Sequence, residues 1–121
     1  MEDCIFCKIV SGDIPAHRVY EDNEFLAFLD IRPLSAGHTL VIPRKHYRFV
    51  WDVENIGEYF VVVQKIAKAL QQVSGTDEVF MKVIGEEVPH AHVWVFPNPD
   101  KTVEDKNDFA VIAEKIHQTL V

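Results

Sequence analysis

No apolar run in the sequence approaches the ~18 residues that a membrane-spanning helix requires, which argues against a helical span. Internal repeats, low-complexity tracts and regular strand–helix–strand alternation are also absent. Positive charge is scarce: 12 Lys and Arg against 19 Asp and Glu leave a net charge of −7. A general affinity for nucleic acid or an anionic membrane is therefore not expected. A single nucleotide stays within reach, because one local cluster of donors can hold it against the overall field. The start, Met1-Glu2-Asp3-Cys4, lacks the basic and apolar segments of a signal peptide, so the cytoplasm is the expected location. Cysteine occurs only as Cys4 and Cys7. In a reducing compartment that pair suggests metal or redox chemistry more than a structural disulfide.

What is present suits a globular chain: 48% hydrophobic and 26% charged residues, with 121 residues serving one core. A single domain over residues 1–121 is expected. A short helical turn is predicted over residues 4–10, ended by Ser11-Gly12-Asp13 and Pro15. Strands are predicted over 18–21 and 25–29, joined by the hairpin signal Asp22-Asn23-Glu24. After the loop Pro33–Gly37, a third strand is predicted over His38–Ile42, stopped by Pro43. Ile56, Tyr59, Phe60, Val63, Ile66, Ala67 and Leu70 recur at helical spacing within 53–73, and Gly75 follows as a stop. Strands over 78–84 and 90–96 and an amphipathic helix carrying Phe109, Ile112, Ile116 and Leu120 complete the chain. The order predicts an α+β fold: an antiparallel sheet of about five strands, a long central helix and a C-terminal helix.

Chemistry concentrates in His90-Ala91-His92-Val93-Trp94-Val95-Phe96. Alternation along a strand would put His90, His92 and Trp94 on one polar face, with the two imidazoles about 7 Å apart. Neutral imidazole is a nucleophile toward phosphorus and also a metal ligand, and two surface histidines would read the same way. The C-x-x-C pair is equally open, since redox motifs share its spacing with zinc sites.

The stretch from Val88 to Pro97 resembles the histidine-triad signature, in which histidines alternate with apolar residues. Cys4–Ile9, Ile14-Pro15, Phe28–Ile31, Gly37–Pro43 and Lys45-His46 fall in family-like order upstream. The resemblance implies a HIT-like fold, a homodimer and binding of a purine nucleoside monophosphate moiety. It implies a hydrolase or transferase, such as a nucleoside phosphoramidase, in which His92 attacks the α-phosphorus and forms a nucleotidyl intermediate. His38 would support it as an additional histidine, with His90 beside it. Asp30 would hold the ribose hydroxyls, while Ile5, Phe6, Ile9, Phe28, Ile31 and Trp94 would line the nucleotide. The bacterial branch of the family implies a structural zinc on Cys4, Cys7, His46 and His90.

Two departures stand out. Trp94 replaces the third motif histidine, and indole donates one hydrogen bond but accepts no proton. The upstream loop carries Glu86 and Glu87, which would repel a phosphate unless they face solvent. Turnover below that of complete members is expected, or a nucleotide-binding module with little turnover. A further alternative takes His90, His92 and His38 as ligands of a catalytic metal.

Overall fold

The computed structural model describes residues 4–85, 88–102 and 104–120. Glu86 and Glu87, with the expectation attached to them, lie outside the described residues.

Helix α1 spans Ile5–Ser11. The Cys4 sulfur caps it by accepting from the Cys7 N–H, and Gly12 ends it at φ 89°, a left-handed conformation natural to glycine. Strands β1 (Arg18–Glu21) and β2 (Phe25–Leu29) form a hairpin. Its turn is held by Asp22, whose Oδ1 accepts from the N–H groups of Glu24 and Phe25 at 2.7 and 2.8 Å. Strand β3 covers Thr39–Pro43, and a 3-10 turn over Val50–Asp52 leads to α2, Ile56–Ser74. Strands β4 (Val79–Val83) and β5 (Val93–Pro97) and helix α3 (Phe109–Leu120) follow. The sheet order is β1-β2-β3-β5-β4, and every neighbouring pair is antiparallel.

Both faces of the sheet are covered at its centre, which is why β2 and β3 are buried at every position, whereas β4 at the edge is exposed. Phe25, Ala27, Val41, Val93 and Val95 pack under α2 and α3 with Tyr59, Ile66, Leu70 and Ile116. Leu26, Phe28, Leu40 and Ile42 face the other way, against α1 with Cys4, Phe6 and Ile9. Gly37 lets the chain enter β3: its φ is +96°, and an added Cβ would lie 2.8 Å from the Leu70 side chain.

Three expectations are corrected in detail. The helix expected from residue 53 begins at Ile56, because Val53 is extended and the apolar positions before it form the separate 3-10 turn. The last strand begins at Val93, so His90 and His92 lie on the approach to it. Continuing the register would set Ala91 opposite Pro43, which has no N–H for the ladder; Ala91 donates instead to the Tyr47 carbonyl at 2.7 Å. Finally, the face carrying the histidines is an apolar layer rather than a polar surface, and His38, His90 and His92 are all buried.

Candidate functional site

A cleft of about 450 Å³ opens where α1 meets the approach to β5. Ile5 and Phe6 form one wall, Leu40, Val88 and Trp94 the floor and opposite side, and Asp30, Ile31 and Arg32 the rim; His92 faces into it. A recess of about 550 Å³ elsewhere is larger but presents Glu24, Glu54 and Glu58 with no imidazole.

His92 Nδ1 lies 2.8 Å from the His90 carbonyl oxygen. A carbonyl only accepts, so Nδ1 carries a proton, and in the neutral form of the ring the lone pair lies on Nε2. Phe6 packs edge-on to the same ring at 5.2 Å.

His38 is arranged in the opposite sense. Its Nδ1 accepts from the Leu34 N–H at 3.1 Å, which leaves the proton on Nε2. That nitrogen is buried without a hydrogen-bond partner, 3.7 Å from Asp30 Oδ2. Burial holds the His38 pKa below its ordinary value, against the opposing pull of the Asp30 charge. The ring sits between Trp94 and Phe96 at 5.0 and 5.1 Å and does not line the cleft. Asp30 does: its Oδ1 accepts from the Arg32 N–H at 2.9 Å, and its own N–H donates to the His38 carbonyl. Trp94 is half-buried, with Lys82 Nζ 5.4 Å above the ring.

Ile5, Phe6, Asp30, Ile31, His92 and Trp94 are thus brought together around one cleft. Ile9 and Phe28 are not on its surface; they are buried behind its wall, where Phe28 meets Phe6 edge-on at 5.6 Å. Sequence reasoning missed Arg32, Leu40 and Val88. Arg32 could have been found from its place two residues after Asp30, as the cation nearest that carboxylate in sequence.

His90 belongs to a second constellation. Its Nδ1 lies 3.4 Å from the sulfurs of both Cys4 and Cys7, and His46 Nδ1 lies 3.2 Å from Cys7. The His90 Nε2–H donates to the Pro43 carbonyl at 2.8 Å, which aims the Nδ1 lone pair at the sulfurs. All four donor atoms fall within 4.8 Å of one another. A zinc tetrahedron with arms of about 2.0–2.3 Å has edges of about 3.3–3.8 Å, close to the three spacings just given. Burial pushes both His46 and His90 below the ordinary imidazole pKa, so both are neutral and fit to bind a cation. Burial and the neighbouring Cys4 push the Cys7 thiol up to about 11, so a bound metal would have to displace its proton. Two sulfurs and two imidazole nitrogens suit zinc or another soft divalent ion. His90 therefore does not reach the cleft with its ring; it contributes its carbonyl. Among the described residues, Cys4, Cys7, His46 and His90 are the group able to hold a metal, and neither His38 nor His92 belongs to it.

These features define a class: a small antiparallel α+β domain with a cleft-lining imidazole beside a two-cysteine, two-histidine cluster. The HIT domain family matches residues 11–101. "Protein hit" of Bacillus subtilis is 40% identical over 109 residues, spanning 83% of this chain and 74% of the relative. Adenosine 5'-monophosphoramidase hnt1 of Schizosaccharomyces pombe is 36% identical over 105 residues, spanning 81% and 76%. The crystal structure of a zinc-bound histidine triad family protein from Mycobacterium smegmatis superposes with a TM-score of 0.83 at 37% identity, covering 98% of this chain and 94% of that one. The chain belongs to the HIT family, whose members include nucleotide-binding hydrolases.

Proposed function

We propose that the protein is a single-domain nucleotidyl hydrolase or transferase that cleaves purine nucleoside phosphoramidates or related conjugates through a nucleotidyl-His92 intermediate. The observation that carries the reading is the His92 Nδ1–H bond to the His90 carbonyl. It leaves Nε2 as the nucleophile on a ring that lines the cleft. The base would lie between Ile5, Phe6 and Ile31, and the Asp30 carboxylate would accept from the ribose hydroxyls. Nε2 attacks the α-phosphorus, the P–N bond to the amine breaks, and water then attacks the nucleotidyl-histidine to release the monophosphate. Arg32 on the rim, as a cation, stabilises the charge that develops on the phosphoryl oxygens. Trp94 can donate its indole N–H but has no proton to give up, so the leaving amine takes its proton from water. That step lowers turnover. The S. pombe relative named as a monophosphoramidase supports the reaction class.

Cys4, Cys7, His46 and His90 would hold zinc, which supplies a structural tie when bound and no reacting group; the zinc-bound M. smegmatis relative supports this. A homodimer is supported by the edge strand β4, whose outer side has no partner strand among the described residues and which exposes Phe80, Met81 and Val83, and by exposed Phe60 and Val61 on α2. A reducing compartment such as the cytoplasm would keep the two sulfurs available as ligands. No described helix is long and apolar enough to cross a membrane.

The test is mass spectrometry of zinc-loaded protein incubated with an adenosine phosphoramidate. An adenylyl adduct on His92, absent from His92→Ala, is the expected result. Tight binding of AMP with neither adduct nor turnover would support a second reading, a binding module in which Trp94 has cost the chemistry.

A further inference from the structure

The metal cluster and the reactive imidazole meet in one peptide unit. The carbonyl of the His90–Ala91 peptide accepts the His92 Nδ1–H at 2.8 Å, while its N–H, on Ala91, donates to the Tyr47 carbonyl at 2.7 Å. Each end of that unit is adjacent to a cluster donor. The His90 side chain is held at both ring nitrogens, by the two sulfurs and by Pro43, and Tyr47 directly follows His46.

Helix α1 adds a second tie. It carries Cys7, is capped by Cys4, and brings Phe6 against the rings of His90 and His92 at 6.0 and 5.2 Å. A seven-residue helix has too few internal hydrogen bonds to persist by itself, so its docking depends on what it grips.

We propose that metal binding at Cys4, Cys7, His46 and His90 clamps the His90–Ala91 peptide plane and thereby sets the tautomer of His92, making His90 a positioning residue for the nucleophile. With the ion bound, the plane is fixed from both ends and Nδ1 keeps the proton. Without it, the Nδ1 side of the His90 ring keeps only weak thiol contacts, the Pro43 bond alone leaves the plane free to turn, and His92 exchanges its proton between nitrogens. An Nε2–H ring has no lone pair at the attacking atom. The same loss loosens Phe6 and Ile5, the wall on which a base would rest. Metal occupancy thus couples to nucleotide affinity as well as to the nucleophile, in the reciprocal manner of any two linked sites. The inference rests on reading His92 as the nucleophile, yet its test does not require turnover.

Full-length protein labelled with ¹⁵N-histidine is compared with Zn²⁺ bound, after chelation and after Zn²⁺ is restored, near pH 8 where imidazoles are neutral, at about 1.5 units above their usual pKa. Long-range proton–nitrogen correlation reads each tautomer. In the zinc form, His92 is expected to show an N–H at Nδ1 and a lone pair at Nε2. On chelation both signals should move toward averaged positions, returning with Zn²⁺, while those of His17 and His117 stay. His46→Cys, which keeps four donors, should retain the zinc-bound pattern, and Cys7→Ser should lose it. If chelation unfolds the chain, Cd²⁺ replaces chelation: its longer bonds displace His90, and the His92 Nδ1 signal must move with it. A His92 tautomer unchanged by metal removal in folded protein, or by Cd²⁺ in its place, overturns the proposal. Coupling without any adenylyl adduct would sink only the nucleophile reading; an adduct without coupling would sink only this inference.

Discussion

Replacing Trp94 by histidine should make the protein less stable and, for one class of substrate only, faster. The indole is half-buried, faces the His38 ring at 5.0 Å and lies under Lys82 Nζ at 5.4 Å. Imidazole lacks roughly 60–70 Å² of that apolar surface, about half of it shielded, which costs about 1 kcal/mol. Losing the cation–π contact adds about 0.5–1 kcal/mol. At about 4 °C per kcal/mol for a chain of this size, the melting temperature should fall by about 6–8 °C. The gain is that imidazole can protonate a leaving group, which contributes 10²–10⁴-fold in favourable cases. At a site not shaped for it, about 10² is expected. The assay is kcat/KM over adenosine phosphoramidates of amines of rising basicity, beside an adenosine aryl phosphodiester whose leaving group departs unprotonated. Only the amine substrates should accelerate, most for the most basic amine. An equal change across all leaving groups, or no gain despite the expected fall in melting temperature, would refute the assignment of the missing proton to position 94.

Tyr59 donates to the Val41 carbonyl at 2.6 Å beneath the sheet, far from the cleft lining. Tyr59→Phe should cost about 1–1.5 kcal/mol in urea unfolding and leave kcat/KM unchanged. Gly37→Ala meets both a left-handed φ and the Leu70 side chain, and should cost about 2–3 kcal/mol. Gly75→Ala shares the φ but has nothing within 4 Å, so about 1 kcal/mol is expected; equal losses would contradict the steric argument. His38 is held below its ordinary pKa by burial, so the unfolded chain binds the proton more readily. Stability should therefore rise with pH up to the ordinary histidine value and fall as pH drops below it. His38→Asn, keeping an acceptor for the Leu34 N–H, should flatten that slope in zinc-loaded protein followed by denaturant melts.

Much of this was legible in the sequence because it depends on local pattern. The helical spacing from Ile56 to Leu70, the turn at Asp22 and the fully apolar Phe25–Leu29 each determine an element without distant information. The tautomer of His92 was also foreseeable, since a nucleophilic imidazole needs an acceptor at its other nitrogen. What could not be read is how neighbouring histidines divide their work. His90 and His92 look alike in sequence; only the arrival of α1 on one side and Pro43 on the other turns the first toward the sulfurs. The retreat of β5 to Val93 has the same origin, in a proline on the facing strand. Ile9 and Phe28 look like cleft residues by composition, yet a wall needs backing, and they supply it from behind Phe6.

The cluster joins the beginning of the described chain to a point 86 residues onward. At ribosomal rates of about 5–20 residues per second, Cys4 is made about 4–17 s before its imidazole partner exists. For that interval the cluster is incomplete, with His46 the one imidazole available to it, and the sulfurs are open to oxidants and to any thiophilic ion that arrives first. Helix α1 is thus made long before the His90 that completes its grip, and what its thiols meet while they wait bears on the quality of each new molecule.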